Sequence, residues 1–301
     1  MGNMFSYLRC MTRLSAIVSL GAIVLNASAA AAQPPLHSAS SFAVLAGGPA
    51  TGAVTCTGPG SVTGNVGVVP SGTVVNTGCT IVGTVDPFAA VPYADFLTAY
   101  ATLAFTPCGA MPLNPAVSQT LVPGVYCVPA AAAFTGVTLT LNGPANGIWI
   151  FKIGTGGAGA LTGTNFSVVM TGQGQPCNVY WWVKDAATLT ASMFKGTILA
   201  GADITSTGSI LKGAAMAGGS GKTFAPTGAV TLTGSVVSVC SLGASFPPVD
   251  KCDGDRDGNQ GDKDHDKDGD KDHGDKDKDK AKGHKDNPRK DSDHASKDKE
   301  K

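Results

Sequence analysis

Through most of this chain, aliphatic and hydroxyl side chains take turns. "GVTLTLNG" (136–143), "ATLTASM" (187–193) and "AVTLTGSVV" (229–237) each alternate Thr with Leu or Val. That period of two puts aliphatic groups on one face of a strand and hydroxyls on the other. Thr-Gly pairs recur between these runs and supply tight corners, where glycine accepts backbone angles that other residues resist. Many short strands with glycine corners fit a sandwich, a barrel or a β-solenoid. Inexact recurrence of similar units favours the solenoid, in which stacked coils share one continuous core.

One stretch departs from this rhythm. In "DPFAAVPYADFLTAYATLAF" (86–105), Pro92 suits a first helical turn, and Tyr93, Phe96, Leu97, Tyr100, Leu103 and Ala104 fall on one helical face. The spacing predicts a single amphipathic helix over about 92–105 that lies along the β body.

Composition divides the 301 residues into three parts. Residues 1–32 carry Arg9 and Arg13, the apolar run "LSAIVSLGAIVL", and small residues at Ala30-Ala31-Ala32, which reads as a secretory signal peptide. The run is shorter than the ~20 residues of a spanning helix, so no membrane anchor is expected and the product should be secreted. Residues 33–249 hold five Lys, four Asp, no Glu and no Arg, against 28 Thr. Hydroxyls and backbone must therefore supply most of the polarity of this domain. Residues 250–301 hold 18 acids, 15 bases and four of the five histidines. With almost no large apolar side chain, this segment cannot offset its ordering entropy and should be a disordered tail.

Candidate chemistry is sparse. Seven cysteines remain after the leader, and export permits disulfides. Cys56 with Cys79 and Cys108 with Cys127 are the local pairings, Cys177 with Cys240 is a distant one, and Cys252 is left over. Asp86, Asp95, Asp185 and Asp203 are isolated, and His37 is the only histidine of the domain. Paired carboxylates for glycoside hydrolysis are therefore not in view, and no enzyme is expected. No basic excess suggests nucleic acid. "GIWIF" (147–151) and "VYWWV" (179–183) read as core strands rather than a sugar-stacking platform. In the tail, Asp264, Asp266, Asp268, Asp272 and Asp275 with Gly269 match a calcium-loop spacing, and Asp253, Asp255 and Asp257 begin a second. Asp-rich repetition yields such spacing readily, so a solvated spacer competes with weak calcium binding. No other cofactor is implied.

The order of segments carries a resemblance. "SFAVLAG" (41–47), "SVTGNVGVVPSG" (61–72), "ADFLTAYATLA" (94–104), "LVPGVYCV" (121–128), "LTLNGPANGIWIFKIG" (139–154) and "CNVYWWVKDAATLTASMFKGTILAGADIT" (177–205) together resemble the secreted ice-binding-protein family of bacteria, fungi and algae. The likeness spans about 38–239. It implies an irregular right-handed β-solenoid of triangular section with one long helix packed alongside, and a monomer that adsorbs to ice. Some members of that family carry Thr-(Ala/Gly)-x-(Thr/Asn) strands on the ice face. This chain matches at Thr77-Gly78-Cys79-Thr80, Thr135-Gly136-Val137-Thr138 and Thr162-Gly163-Thr164-Asn165. Thr77, Thr80, Thr135, Thr138, Thr162, Thr164 and Asn165 are accordingly the ice-binding candidates. Asn165-Phe166-Ser167 is also an N-glycosylation sequon.

Two readings follow. In one, a flat Thr/Ser/Ala face without charge adsorbs to ice. In the other, an extracellular structural or adhesive module attaches to a matrix or cell-surface polymer through its tail. A solenoid face interrupted by Lys184, Lys195, Lys212 or bulky groups would favour the second.

Overall fold

The computed structural model describes residues 31–48, 52–69, 72–219 and 228–240. The signal peptide up to Ala30, the tail with its calcium pattern, and Cys252 lie outside the described residues. Three sheets of eight, seven and eight strands form, and every strand pairing is parallel. Short strands joined by corners that each turn onto the next sheet have no route to antiparallel hairpins. Successive coils therefore stack, and each coil gives one strand to each sheet.

Coil order does not follow chain order. The first coil (Phe42–Gly47, Ala53–Thr57, Ser61–Thr63) pairs with the last (Ala215–Ala217, Val230–Thr233, Val236–Ser238). The second coil extends that end as far as the short strand Val85–Asp86. A helix, Ala90–Phe105, and a loop then carry the chain to the opposite end, where Gln119–Leu121 and Gly124–Val128 resume the stack. Eight strands about 4.8 Å apart span about 34 Å. Sixteen helical residues cover about 24 Å of that distance, and the loop supplies the rest.

The helix runs Ala90–Phe105, two residues earlier than the sequence spacing predicts. It buries Phe96, Ala99, Tyr100 and Leu103, with Tyr93 and Leu97 partly covered. Ala104, expected on that face, is exposed instead, and Ala99 takes its place. These side chains pack on Leu45, Ile150, Tyr180, Trp182, Leu199 and Met216 from the outer face of one sheet, so that sheet is buried on both sides. "VYWWV" is buried at all five positions, which is why it reads as continuous hydrophobicity rather than alternation. Lys152, 4% exposed, donates from Nζ to the Ala104 and Thr106 carbonyls at the helix C-terminus. Its ammonium also lies 5.6 Å from the Trp182 ring centroid, and burial lowers its pKa.

Inside the stack, Phe151 and Trp181 lie 4.0 Å apart centroid to centroid, and Phe134 and Phe166 lie 4.6 Å apart. Two disulfides match the local pairings. Cys56–Cys79 ties the first coil to the second, and Cys108–Cys127 fastens the post-helix loop to a strand. The distant pairing differs: Cys177 and Cys240 are free thiols, each partly exposed.

Candidate functional site

The seven-stranded sheet has an outer face made almost wholly of threonine. Its strands, in spatial order, are Ala132–Thr135, Leu161–Thr164, Ala187–Thr190, Ile204–Thr207, Val230–Thr233, Ala53–Thr57 and Thr73–Thr77. Each shows Thr-x-Thr or a close variant. The inward residues between and before the threonines are Ala132, Phe134, Leu161, Leu189, Ile204, Val230 and Leu232, all buried. Register matching then draws the outward residues into two ranks. One runs Ala133, Thr162, Thr188, Thr205, Thr231, Thr55, Val75. The other runs Thr135, Thr164, Thr190, Thr207, Thr233, Thr57, Thr77 and is threonine throughout.

Ranks formed this way are about 6.7 Å apart, and neighbours within a rank about 4.8 Å apart. β-branching leaves threonine few χ1 choices, so each site presents a methyl and a hydroxyl in a repeated orientation. Among the described residues, the one hydroxyl–hydroxyl bond within this face joins Thr57 to Thr233 at 3.3 Å. Among the described residues, the other rank hydroxyls make no hydrogen bond to protein groups. No Asp, Glu, Lys, Arg or His stands on the outer face of these seven strands.

Immediately after the second-rank threonine, every coil turns through a left-handed residue. These are Gly136, Asn165, Ala191, Gly208, Gly234, Gly58 and Gly78, with φ between +48° and +98°. Buried serines then secure the turn. Ser192, Ser209 and Ser235 donate their hydroxyls to the carbonyls of Thr190, Thr207 and Thr233 at 2.9, 3.1 and 3.3 Å. Each hydroxyl also accepts an amide from the next coil: Phe166 N–H to Ser192, Ser192 N–H to Ser209, and Ser209 N–H to Ser235. The carbonyls held by this column belong to the second rank itself. The column thereby fixes the height and tilt of those threonines.

Beyond the corner lies the third sheet, whose outer face is different. Its first rank runs Thr80, Ser61, Val236, Ile210, Met193, Ser167, Thr138, and the second includes Val82, Thr63, Ser238, Lys212 and Lys195. Met193 is 57% exposed and Ile210 45%. Burial and the neighbouring ammonium of Lys212 lower the pKa of Lys195. Lys184 stands on neither outer face; it follows Val179–Val183 at a corner of the helix-covered sheet.

The candidates from sequence therefore separate. Thr77, Thr135, Thr162 and Thr164 stand on the threonine face, Asn165 is a corner, and Thr80 and Thr138 lie across that corner on the third sheet. Nine further threonines share the face: 55, 57, 73, 188, 190, 205, 207, 231 and 233. Their signal in the sequence is Thr-x-Thr followed at once by a residue that tolerates the left-handed region.

The domain carboxylates serve backbone groups. Asp185 accepts from Gly159 N–H at 2.6 Å, Asp203 from Ala229 N–H at 2.8 Å, and Asp95 from the amide and hydroxyl of Ser38. The Ser38 bonds hold the Asp95 carboxyl below its ordinary pKa. Among the described residues no three His, Cys, Asp or Glu side chains gather to hold a metal. No described helix is long and apolar enough to cross a membrane.

Comparison with known proteins places this geometry. A family model described as ice-binding-like matches residues 49–238. The crystal structure of an ice-binding protein from the Antarctic ascomycete Antarctomyces psychrotrophicus shares 28% identity at a TM-score of 0.56, covering 68% of this chain and 98% of that one. An ice-binding protein from an Antarctic biological consortium shares 29% identity at 0.57, covering 69% and 91%. One from an Antarctic bacterium of the Flavobacteriaceae shares 32% at 0.56, covering 71% of this chain and 49% of that longer one. No curated protein matches in sequence.

Proposed function

We propose, from the premise that this chain belongs to the ice-binding-like family, that its seven-stranded sheet adsorbs to ice through the two threonine ranks. The family is one of ice-binding proteins and not of enzymes, in keeping with a domain whose carboxylates are spent on backbone amides. The observation that carries the assignment is the register: seven coils in step, with an unbroken second rank from Thr135 to Thr77. Methyl groups at fixed spacing order a water layer and hydroxyls hold it. Water-mediated contacts of this kind are individually weak, and their number makes adsorption firm. A charge on the face would hold its own hydration shell and disrupt that layer.

The proposal includes export by the leader, right-handed winding of the coils, and action as a single copy. The tail is proposed as a solvated spacer, whose Asp264–Asp275 spacing suits weak calcium binding. Lysine and exposed apolar groups on the third sheet are the surface that an adhesive role would use, and such a role leaves the threonine face free.

Microscopy of single ice crystals in purified mature protein tests the assignment. Faceted crystals that resist growth below the melting point are expected. Round, freely growing crystals at high protein concentration would overturn it.

A further inference from the structure

We infer that the adsorbing face is three ranks wide, and that Asp203 is the residue that limits its hold on ice. Two residues before each member of the first rank stands a further outward residue. In spatial order these are Ala131, Ala160, Ala186, Asp203, Ala229, Ala53 and Thr73. The parallel ladder runs on through them. The amides of Ala132, Leu161, Ala187 and Ile204 donate to the carbonyls of Ala160, Ala186, Asp203 and Ala229 at 2.9, 3.0, 2.9 and 2.8 Å, and Ala53 pairs with Thr73. Neighbours in this third rank are therefore about 4.8 Å apart, in step with the threonines and about 6.7 Å from the first rank. Every member is at least partly exposed.

Five of the seven are alanine and one is threonine, so the rank offers methyls at fixed spacing and no bulk to lift a water layer off the plane. The extension rests on the reading of the two threonine ranks as the ice contact, and it continues that surface without a break in register. Asp203 is the exception, and it stands at the middle of the rank, two residues before Thr205. Its Oδ1 accepts the amide of Ala229, the next member of its own rank, at 2.8 Å. Among the described residues no protein group donates to its other oxygen. A carboxylate oxygen left to solvent holds its own hydration shell, and that shell competes with a layer ordered by methyls. Asp185, by contrast, lies one position before the rank, at the corner, with its carboxylate on the Gly159 amide. Of the four carboxylates in the domain, Asp203 alone stands in the adsorbing plane.

The experiment measures freezing hysteresis of single ice crystals in the full chain and its variants. Ala186→Lys puts an ammonium in the third rank, and hysteresis should fall at least about threefold, because an ion that must shed water without a partner opposes adsorption. Asp203→Asn keeps an acceptor for the Ala229 amide and removes the charge. Its hysteresis should rise by about half or more, with a melting temperature within roughly 2 °C of wild type. Ala160→Asp adds a carboxylate at an alanine position and leaves the Asp203 bond untouched, so it should lower hysteresis even if Asp203→Asn melts early. Wild-type hysteresis in Ala186→Lys would overturn the third rank. Hysteresis in Asp203→Asn no higher than wild type at an unchanged melting temperature, or no loss in Ala160→Asp, would overturn the limiting role of Asp203. Loss in Thr205→Lys without loss in Ala186→Lys strikes the third rank and leaves the threonine ranks standing, whereas a wild-type chain without hysteresis strikes the threonine ranks themselves.

Discussion

The threonine sheet and the third sheet are built from the same coils, separated by one left-handed residue, and their inward positions do the same work. Val54, Ile204 and Leu232 fill the core from one; Val62, Leu211 and Val237 fill it from the other. Outward positions of the third sheet vary from serine to methionine, isoleucine and lysine, so the stack imposes no demand there. Outward positions of the threonine sheet face the same solvent under the same backbone constraints, yet twelve of fourteen are threonine. The third sheet is in effect an internal control. It shows that the fold does not require threonine outside, and hence that the uniformity of the other sheet answers to something beyond folding.

Placing the same charge on each face is the sharpest way to break that comparison. Thr205→Lys puts an ammonium at the centre of the first rank, and Met193→Lys puts one at a comparable place on the third sheet. Freezing hysteresis should fall at least roughly fivefold in the first and stay within about a quarter of wild type in the second, since an ion that must shed water without a partner costs several kcal/mol. Melting temperatures of both should stay close to wild type, because both sites are exposed. Equal loss in the two variants would mean that the third sheet also contacts ice.

A second change attacks what holds the second rank in place. Ser209→Ala removes the acceptor of the Ser192 amide and the donor to the Thr207 carbonyl, both at a buried corner. Leaving such groups unpaired costs about 2 kcal/mol, which for a domain of this size lowers the melting temperature by roughly 4–8 °C. Hysteresis measured well below that temperature should drop by about a third to a half, as Thr190 and Thr207 lose their common orientation. A fall in melting temperature with full hysteresis would show that the serine column serves stability alone.

How much of this was legible in the sequence depends on what each glycine does. Alternation in "ATLTASM" and "AVTLTGSVV" states the strands, and a helix over about 92–105 is readable from its aromatic spacing, two residues short of its start at Ala90. The face was only partly legible, because the Thr-Gly pair has two roles. Gly78 and Gly136 are corners, so Thr80 and Thr138 pass to the next sheet. Gly163 is an inward strand residue whose Cβ would come within 2.9 Å of Leu189, and the corner of that coil is Asn165. A Thr-Gly-x-Thr template cannot tell these apart; Thr-x-Thr before a left-handed residue can. Pairing of the first coil with the last was not legible either, since it depends on a helix that returns the chain along the stack rather than on any local pattern.

Ala191 gives the smallest test and separates corner strain from surface chemistry. It holds φ of +48° where five of its six counterparts are glycine and one is asparagine. A Cβ in that region costs about 1–2 kcal/mol, and replacing alanine by glycine returns roughly 0.5–1 kcal/mol to the unfolded chain as entropy. The balance predicts that Ala191→Gly stabilises by about 0.5 kcal/mol, a rise of roughly 1–2 °C in melting temperature. Nothing in the change touches a threonine, and Gly136, Gly208 and Gly234 already make the same corner. Hysteresis should therefore equal that of wild type. Lower activity in Ala191→Gly would mean that the alanine methyl itself belongs to the adsorbing surface, which would then extend past the second rank and over the corner.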